Sequence, residues 1–451
     1  MTTSEPESSL RESSDPIEPT PEKGADQAVS ERGRPDAEHL DAIDPLGNFR
    51  GRFNIPDDSL IYLDGNSLGR LPATTSERVR HVVEQQWGDR LIRSWDEGWL
   101  TLPAQVGDRL GTSLLGARKG ETLVCDNVTG NIFKLLHAAL DLRPERSTIV
   151  MSRLDFPTDR YVATEVARQR GGLVSWLGPL DPDASAPTDP IRAIDIAPQL
   201  NDQVAVLLLS VVDYRSGALV DVAGITDLAH RAGALVIWDC SHAVGVVPLD
   251  LPAIGADFAV GCSYKYLNGG PGSPGWLWVN ENLHSQLGTP AVPGWLGHAD
   301  AFAMGRNYLP ADGVRRFLTG SPSPLLLGCV EEGVSLVAEA GITAIRAKSE
   351  LLTAYAIQLA QAWLVPVGVR LGSPTEPQNR GSHIIVHHPD AAALCQALTD
   401  RGVVPDFRQP DGIRIGLSPL TTRFTDVYDG MAALYVLVTA LQEAGGQRPQ
   451  G

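Results

Sequence analysis

From about residue 120 onward, short apolar runs alternate with amphipathic segments, the pattern of strands joined by helical crossovers. Most of these runs are continuously apolar, which is typical of a parallel sheet buried on both faces. The pattern predicts strands over residues 121–126, 147–152, 171–177, 203–210, 233–239 and 257–263. The sequence therefore predicts an α/β fold.

The last third of the chain has a different pattern. From about residue 331 a long stretch predicts helix, and the short apolar runs GSHIIVHH and GIRIGLS then mix with further helical segments. Because 451 residues exceed what one hydrophobic core usually holds, we expect two folded parts in one subunit. The second is predicted to be a smaller α+β domain.

The first 40 residues are rich in Ser, Pro and Glu, with ten acidic residues, four basic residues and no aromatic residue. Such a segment buries too little apolar surface to offset its conformational entropy. We therefore predict a disordered acidic tail over residues 1–42.

Bulk composition narrows the functional class. The formal net charge of −17 argues against nucleic-acid binding, which favours basic patches. The sequence offers no apolar run near the roughly 18 residues of a membrane span and no secretory leader pattern. The five cysteines are widely spaced, without metal-ligand spacing, which indicates reduced thiols. We expect a cytoplasmic protein with no metal, membrane or nucleic-acid partner.

Ionisable and polar residues stand at the ends of three consecutive predicted strands. Ser210 ends one strand, Asp239 ends the next with His242 three residues later, and Tyr264 and Lys265 follow the third. Ligands of open parallel sheets bind beyond these carboxyl ends. An amine beside an acid suits an aldehyde cofactor, which bonds the amine as an imine and needs an acid at its ring nitrogen.

A candidate anion site precedes this crevice. The first predicted strand runs into DNVTGNIFKLLHAAL, where Asn127, Thr129 and Gly130 stand before an apolar-periodic helix. A helix N-terminus with free backbone amides and a hydroxyl can bind phosphate. Taken alone, this pattern favours an ordinary N-cap, because Thr is common there.

Two other chemistries have weaker support. Ser210, Ser241 and His242 lie near Asp239 in the sequence, but the G-x-S-x-G elbow of a serine hydrolase is missing. His387 and His388 are adjacent, and no further metal-binding residue stands at a suitable spacing from them. Neither pattern explains Lys265.

At these residues the sequence resembles kynureninases, which are pyridoxal 5'-phosphate (PLP) enzymes of fold type I in the aspartate aminotransferase superfamily. The resemblance runs from about residue 60 to residue 430. Its most specific stretches are YLDGNSLGRLP (62–72), DFPTD (155–159), WDCSHAVGVVPLDLPAIGADFAVGCSYKYLNGGPG (238–272), GWLGH (294–298) and RGVVPDFRQPDGIRIGLSPL (401–420).

The resemblance also implies a domain plan. An N-terminal arm that contributes to the small domain is expected over residues 43–75. A large PLP-binding domain over 76–328 is expected to hold a mainly parallel seven-stranded sheet flanked by helices. The small α+β C-terminal domain is expected over 329–446.

The resemblance implies specific cofactor contacts. Lys265 would hold PLP as the imine, Asp239 would face the pyridine nitrogen, and His242 would contact the ring. Phe156 would stack on the ring face, with Asp159 near its O3' edge. The implied phosphate contacts are Val128, Thr129, Ser210 and Tyr264, joined by Trp295 and Ser321 from the partner subunit of a homodimer with a shared active site.

The implied reaction is the hydrolytic Cβ–Cγ cleavage of L-kynurenine, 3-hydroxykynurenine or another ring-substituted kynurenine to the matching anthranilate and L-alanine. This makes the protein a hydrolase of carbon–carbon bonds in ketones. Lys265, Tyr264 and Asp239 would be its catalytic residues, with Tyr264 as a proton relay. The implied substrate contacts are Asn66, Trp95, Gly320, Ser321 and Arg414, whose planar fork suits a carboxylate.

Some alternatives stay open. Asp213 stands where the family pattern expects Asn or His, which implies a changed polarity near the site. A cysteine desulfurase or an aminotransferase would share the fold and the cofactor, although Cys329 and Cys395 lie in apolar helical segments. A non-enzymatic paralogue is the third hypothesis, and the presence of Lys265, Asp239, Tyr264 and Arg414 argues against it.

Overall fold

A computed structural model describes residues 33–178 and 189–446. Its strands are β1 (Ile61–Tyr62), β2 (Thr122–Val124), β3 (Thr148–Ser152), β4 (Leu173–Leu177), β5 (Val204–Ser210), β6 (Leu235–Asp239), β7 (Phe258–Gly261), β8 (Trp276–Val279), β9 (Arg370–Leu371), β10 (His383–His387), β11 (Val403–Val404), β12 (Asp406–Arg408) and β13 (Gly412–Gly416).

The α-helices are α1 (Arg34–Ala42), α2 (Thr75–His81), α3 (Leu102–Leu114), α4 (Val128–Asp141), α5 (Pro157–Gln169), α6 (Ala193–Ile196), α7 (Val222–Arg231), α8 (Glu281–His284), α9 (Pro324–Ala340), α10 (Ile342–Leu359), α11 (Ala391–Thr399) and α12 (Phe424–Gly446). Short 3-10 or π-helical segments are Gly47–Arg52, Val82–Arg90, Leu91–Arg93, Trp95–Trp99, Ala197–Gln199, Trp295–Gly297, Gly313–Phe317, Ala360–Leu364, Val365–Val367 and Pro377–Asn379.

The large sheet has seven strands in the order β2-β8-β7-β6-β5-β3-β4. All neighbouring pairs are parallel except those of β8, which runs antiparallel to β2 and β7. The six strands predicted from the apolar runs are confirmed, and so is the fold class. Strand β8 was missed by the apolar pattern, because a four-residue apolar run is too short to reveal a period.

Hydrophobic cores cover both faces of this sheet, as its continuously apolar strands require. A third core belongs to the C-terminal part, where the antiparallel sheet β12-β13-β10-β9 packs with helices α10, α11 and α12. Leu63 and Ala37 from the N-terminal segment also lie in this third core, while Leu46 and Phe53 pack into the first.

Two predicted boundaries are wrong. The predicted tail 1–42 contains helix α1, which the composition concealed because only Ala37 of the helix is buried and its ends are charged. Arg34 of this helix bonds both carboxylate oxygens of Asp429 at 3.0 Å. The predicted boundary at 328/329 falls inside helix α9, which contacts helices α2 and α3 and contributes buried residues to the first core as far as Val337. The rest of the predicted tail, residues 1–32, lies outside the described residues.

The sequence predicted no apolar run near the length of a membrane span, but helix α12 contains one. By length and composition alone, its residues Phe424–Glu443 could span a bilayer. Its buried side chains, among them Val427, Met431 and Val438, pack in the third core. This is the position of a core helix, which passes the same length test.

Candidate active site

A cavity of about 360 Å³ lies beyond the carboxyl ends of strands β5, β6 and β7. Ser210 and Asp239 are register partners that end β5 and β6, and Tyr264 and Lys265 follow β7. The sheet therefore carries these side chains to one place, as expected for an open parallel sheet. The predicted site residues that line the cavity are Val128, Thr129, Phe156, Asp159, Ser210, Asp239, His242, Tyr264, Lys265 and Arg414.

The amine of Lys265 lies beside the imidazole of His242. Its Nζ is 3.2 Å from Nε2 and 3.4 Å from Nδ1 of that ring. Burial, and then the charge of Lys265, hold the pKa of His242 well below its usual value. A neutral imidazole therefore faces the amine and adds no positive charge next to it.

Two buried carboxyl groups stand together at the floor of the cavity. Oδ1 of Asp239 accepts the backbone N–H of Ser241 at 2.8 Å, which fixes the carboxylate at the strand end. Burial, and then the charges of Asp239 and Asp155, raise the pKa of Asp159 well above its usual value. Neighbouring like charges disfavour double ionisation, so the site favours the neutral form of the Asp159 carboxyl.

Asp155 supports this floor from behind. Its Oδ1 accepts the backbone N–H of Ser210 at 3.1 Å and its Oδ2 that of Ser152 at 3.2 Å. These bonds tie the ends of β3 and β5 together. Burial raises the pKa of Asp155 to about 7.

Helix α4 points its N-terminus at the cavity. Its N-cap is Asn127, whose Oδ1 accepts the N–H of Gly130 at 2.9 Å, so Thr129 lies in the first turn and is not the cap. A side chain at Gly275 would meet the backbone N of Val128 at 3.1 Å, so this glycine lets the chain pass close to the helix start. The free amides at Val128 and Thr129 can bind an anion.

Two arginines, Arg408 and Arg414, also line the cavity. Nη1 of Arg414 donates to the carbonyl of Tyr214 at 2.7 Å, and Nη2 donates to Ser67 Oγ at 2.6 Å and to Asp406. Nε of Arg408 donates to the same Asp406 oxygen at 2.7 Å. Burial lowers the pKa of Arg414, yet guanidinium stays charged at any physiological pH.

Sequence reasoning missed Arg408. Strand β12 pairs with β13 so that Asp406 faces Arg414, and Arg408, two residues further, shares the face of Asp406. The charged, apolar, charged order of DFR was the available signal. The other cavity residues outside the predicted set are Ser67, Asn127, Thr158, Tyr214, Ser241, Cys262, Ser273 and Gly275.

Five predicted site residues do not line this cavity. Asn66 is fully buried against Gly416, and Trp95 packs edge-on to Trp99 at 5.4 Å. Within one subunit, therefore, neither of these two residues lies where a substrate contact was predicted. The other three, which include the two assigned to the partner subunit, are Trp295, Gly320 and Ser321.

Asp213 does not line the Lys265 cavity, but its charge helps to raise the pKa of Asp155 behind the cavity floor. Asp213 lines a separate small cavity and accepts the backbone N–H groups of Arg215 and Ser216 at 3.0 and 2.6 Å. Its carboxylate therefore stabilises a tight turn. In residues 33–178 and 189–446, His, Cys, Asp and Glu form no group that could hold a metal ion.

The cavity suits PLP on its own chemistry. It offers the amine of Lys265 and a helix N-terminus for a phosphate. It also offers the buried carboxyl of Asp239, next to Asp159, whose pKa is raised. Phe156 lies edge-on to Tyr214 at 5.3 Å and leaves its ring exposed to the cavity. These groups match the amine, ring-nitrogen and phosphate requirements of that cofactor.

Comparison with known proteins gives the family. The model of the kynureninase C-terminal domain matches residues 345–434. The kynureninase of Pseudomonas fluorescens is 41% identical over 408 residues, covering 89% of this chain and 94% of that protein. The kynureninase of Burkholderia pseudomallei is 40% identical over 406 residues, with the same coverage of both chains. The chain belongs to the kynureninase family.

Solved structures share the fold of this kynureninase-family chain. A cysteine desulfurase from Thermococcus onnurineus has a TM-score of 0.71 at 15% identity, covering 89% of this chain and 98% of its own. The cystine C–S lyase C-DES has a TM-score of 0.73 at 17% identity, covering 84% and 98%. A mutant of C-DES holds glycine covalently linked to its PLP cofactor, with a TM-score of 0.72 at 18% identity and coverage of 86% and 98%. Fold type I is therefore the fold of this chain.

Proposed function

We propose that the protein is a PLP-dependent hydrolase that cleaves the Cβ–Cγ bond of L-kynurenine and releases anthranilate and L-alanine. One observation carries this proposal. Ten residues predicted for that reaction line one cavity around Lys265, in a chain of the kynureninase family. Arg414, the residue proposed to bind the substrate carboxylate, lines the same cavity.

When bound, PLP supplies an electron sink for the charge left on the substrate Cα. Asp239 would hold the proton on the pyridine nitrogen, because its carboxyl ends strand β6 at the cavity and is fixed there by the backbone N–H of Ser241. The amides of Val128 and Thr129 would hold the phosphate at the start of α4.

Lys265 would bond the cofactor and then move the proton at Cα, a role that the neutral ring of His242 favours. Arg414 would hold the α-carboxylate and so orient Cα towards the amine. Water would add to the γ-carbonyl, after which the Cβ–Cγ bond breaks and Cβ takes up a proton. Tyr264 is the proposed donor of that proton, since burial raises its pKa and keeps it protonated.

The working unit is proposed to be a homodimer with a shared site. Trp295 is 39% exposed, and Gly320 and Ser321 are exposed outside the cavity of their own subunit. Several large apolar side chains are exposed as well, such as Ile92 at 76% and Trp87 at 60%. A second copy would cover such apolar surface. Light scattering on the purified protein measures the mass directly.

Ring-substituted kynurenines, including 3-hydroxykynurenine, are the proposed further substrates. Small residues at 320 and 321 would leave space for a ring substituent beside Trp95 in the assembled site. A comparison of kcat/KM for kynurenine and 3-hydroxykynurenine tests this selectivity. A preference of less than about tenfold, or roughly 1.4 kcal/mol, would mean that the site does not discriminate.

We also propose a cytoplasmic enzyme without nucleic-acid or membrane partners. All five cysteines are buried free thiols, which suits a reducing compartment. The net charge of −17 disfavours binding to nucleic acids and anionic lipids. Fractionation of the native host, with the protein detected by antibody, tests the compartment.

The burial and placement of the cysteine thiols argue against a cysteine desulfurase. Cys262 lines the cavity, but burial raises its pKa, which suppresses the nucleophilic thiolate. Cys329 and Cys395 lie within helices α9 and α11. The test is reconstitution with PLP followed by kynurenine or cysteine. Anthranilate fluorescence from kynurenine is expected, and persulfide from cysteine without anthranilate would reverse the assignment.

A further inference from the structure

An ion pair that the proposed reaction does not use lies at the phosphate turn, residues 126–129, and joins a buried lysine to an aspartate whose side chain is 32% exposed. Lys134, on helix α4, has a side chain only 3% exposed, and its Nζ contacts Oδ2 of Asp126. The same Nζ donates to the carbonyl of Phe317 at 2.6 Å. Oδ1 of Asp126 accepts the hydroxyl of Thr319 at 3.1 Å. Two bonds therefore join Asp126 and helix α4 to the segment 317–319.

One end of this network fixes the phosphate turn. Asp126 has a φ of 45°, a left-handed conformation that is uncommon for a residue with a side chain. It directly precedes Asn127, the N-cap of the helix whose first residues line the Lys265 cavity. The contacts of Asp126 with Lys134 and Thr319 stabilise this unusual backbone and so set the direction of the helix start.

The other end of the network fixes a loop that faces away from this cavity. Thr319 directly precedes Gly320 and Ser321, which are exposed. A side chain at Gly294 would meet the Thr319 carbonyl at 2.1 Å, so only glycine allows the loop that carries Trp295 to pack on Thr319. The network therefore supports Trp295, Gly320 and Ser321 together.

We propose that Asp126, Lys134 and Thr319 are positioning residues that hold the loop 319–321 for use in the partner subunit's active site. The same three residues hold the phosphate turn of their own subunit, so one network sets the geometry of two sites. This inference rests on the proposed shared-site homodimer, and it assigns a role to residues that touch neither substrate nor cofactor.

The proposal is tested by placing Thr319→Val either in the subunit that keeps Lys265 or in its partner. The site with the intact Lys265 is called the live site. Two heterodimers are made by co-expression with different affinity tags. In the first, Lys265→Ala is in one subunit and Thr319→Val in the other, so the live site receives a native loop. In the second, both changes are in one subunit, so the live site receives the altered loop. Valine keeps the branched shape of threonine and removes only its hydroxyl donor.

The second heterodimer is expected to show a KM for kynurenine and a Kd for PLP raised roughly two- to tenfold, the loss of one hydrogen bond. The first is expected to lie closer to the heterodimer of wild type with Lys265→Ala, because Lys134 still holds Asp126 in the subunit that carries the live site. Asp126→Asn should impair both arrangements, because it also loosens the phosphate turn of its own subunit. Thr164→Val, an exposed hydroxyl that bonds only Arg160 of its own helix, is the matched control.

Equal effects in both arrangements, or an effect confined to the first, would overturn the proposal, as would a protein that is monomeric. The PLP Kd, read from cofactor absorbance at the intact Lys265, needs no turnover. If PLP binds with the predicted asymmetry but kynurenine is not cleaved, the proposed function fails and the positioning role stands. If kynurenine is cleaved without the asymmetry, only the positioning role fails.

Discussion

Arg408 and Arg414 donate to the same carboxylate oxygen of Asp406, and both line the Lys265 cavity. They differ in burial. The side chain of Arg414 is 1% exposed and that of Arg408 is 29% exposed. Because water screens exposed charges, the two arginines are expected to contribute unequally to substrate binding.

Replacing Arg414 by Lys should therefore raise KM for kynurenine roughly 10- to 100-fold, the value of a charged, bidentate contact. The kcat should change less, since the lost contact is made in the ground state and the transition state alike. Arg408→Gln is the matched comparison and should raise KM by less than about tenfold. Steady-state kinetics at saturating PLP measure both. An Arg408→Gln defect as large as that of Arg414→Lys would show that the exposed arginine is the main carboxylate ligand.

Asp239 and Asp159 should respond unequally to neutralisation. Asp239→Asn removes the charge at the ring nitrogen, and kcat should fall by about 100-fold or more. Asp159→Asn replaces a carboxyl that already holds its proton, so kcat should fall less than about tenfold. Thermal unfolding of each variant checks that the fold is intact. Equal losses would mean that the two carboxyls share the charge.

The stability of the apoprotein should depend on Asp155 in a predictable direction. Its folded pKa is raised to about 7 from an ordinary value of 3.8. The folded state therefore binds this proton more tightly, and its contribution to stability is complete at low pH and is lost as pH rises through 7. Asp155→Asn removes this titration but also one acceptor for a backbone N–H.

The free energy of unfolding of Asp155→Asn should thus fall furthest below that of wild type near pH 5. This difference should become smaller towards pH 9. Urea unfolding at pH 5, 7 and 9 gives the free energies of unfolding. Asp202→Asn, at an exposed position, is the control and should show no such trend. A difference between Asp155→Asn and wild type that stays constant with pH would contradict the assignment.

The N-terminal segment is held to the small domain by a buried ion pair. Nζ of Lys348 lies 2.6 Å from Oδ2 of Asp44, with side chains 6% and 4% exposed. Lys348→Met should lower the free energy of unfolding by about 3–5 kcal/mol, because it leaves a buried carboxylate uncompensated.

The double variant Lys348→Met with Asp44→Asn should recover most of that loss. Asparagine keeps an oxygen for the backbone N–H of Leu46, which Asp44 accepts at 2.9 Å. Urea denaturation of the two single variants and the double variant yields the coupling energy. If the double variant does not recover the free energy of unfolding, the loss in Lys348→Met comes from packing and not from an unpaired charge.

The sequence predicted the large sheet well, because its buried strands are continuous apolar runs. It also predicted the strand-end residues Ser210, Asp239 and Lys265, since parallel strands bring their carboxyl ends to one edge. Strand β8 was too short to show a period, and helix α1 buries too little apolar surface to show one.

The site was less predictable where it depends on tertiary contacts. Arg408 enters the cavity only because β12 pairs with β13, and local pattern does not report that register. Asp126 and Lys134 are eight residues apart, and the chain turns at Asp126 itself, which has a left-handed backbone. The apolar pattern carries no information on such a turn. The roles of Trp295, Gly320 and Ser321 depend on a second subunit and stay predictions.

The most direct test of the central claim is to quantify both products of kynurenine turnover by the PLP-loaded protein, with Lys265→Ala as the inactive control. Anthranilate and alanine are expected in equal amounts from the wild type, and neither from Lys265→Ala. Kynurenine cleavage is contradicted if the PLP-loaded wild type forms no anthranilate from kynurenine or 3-hydroxykynurenine while releasing alanine from cysteine.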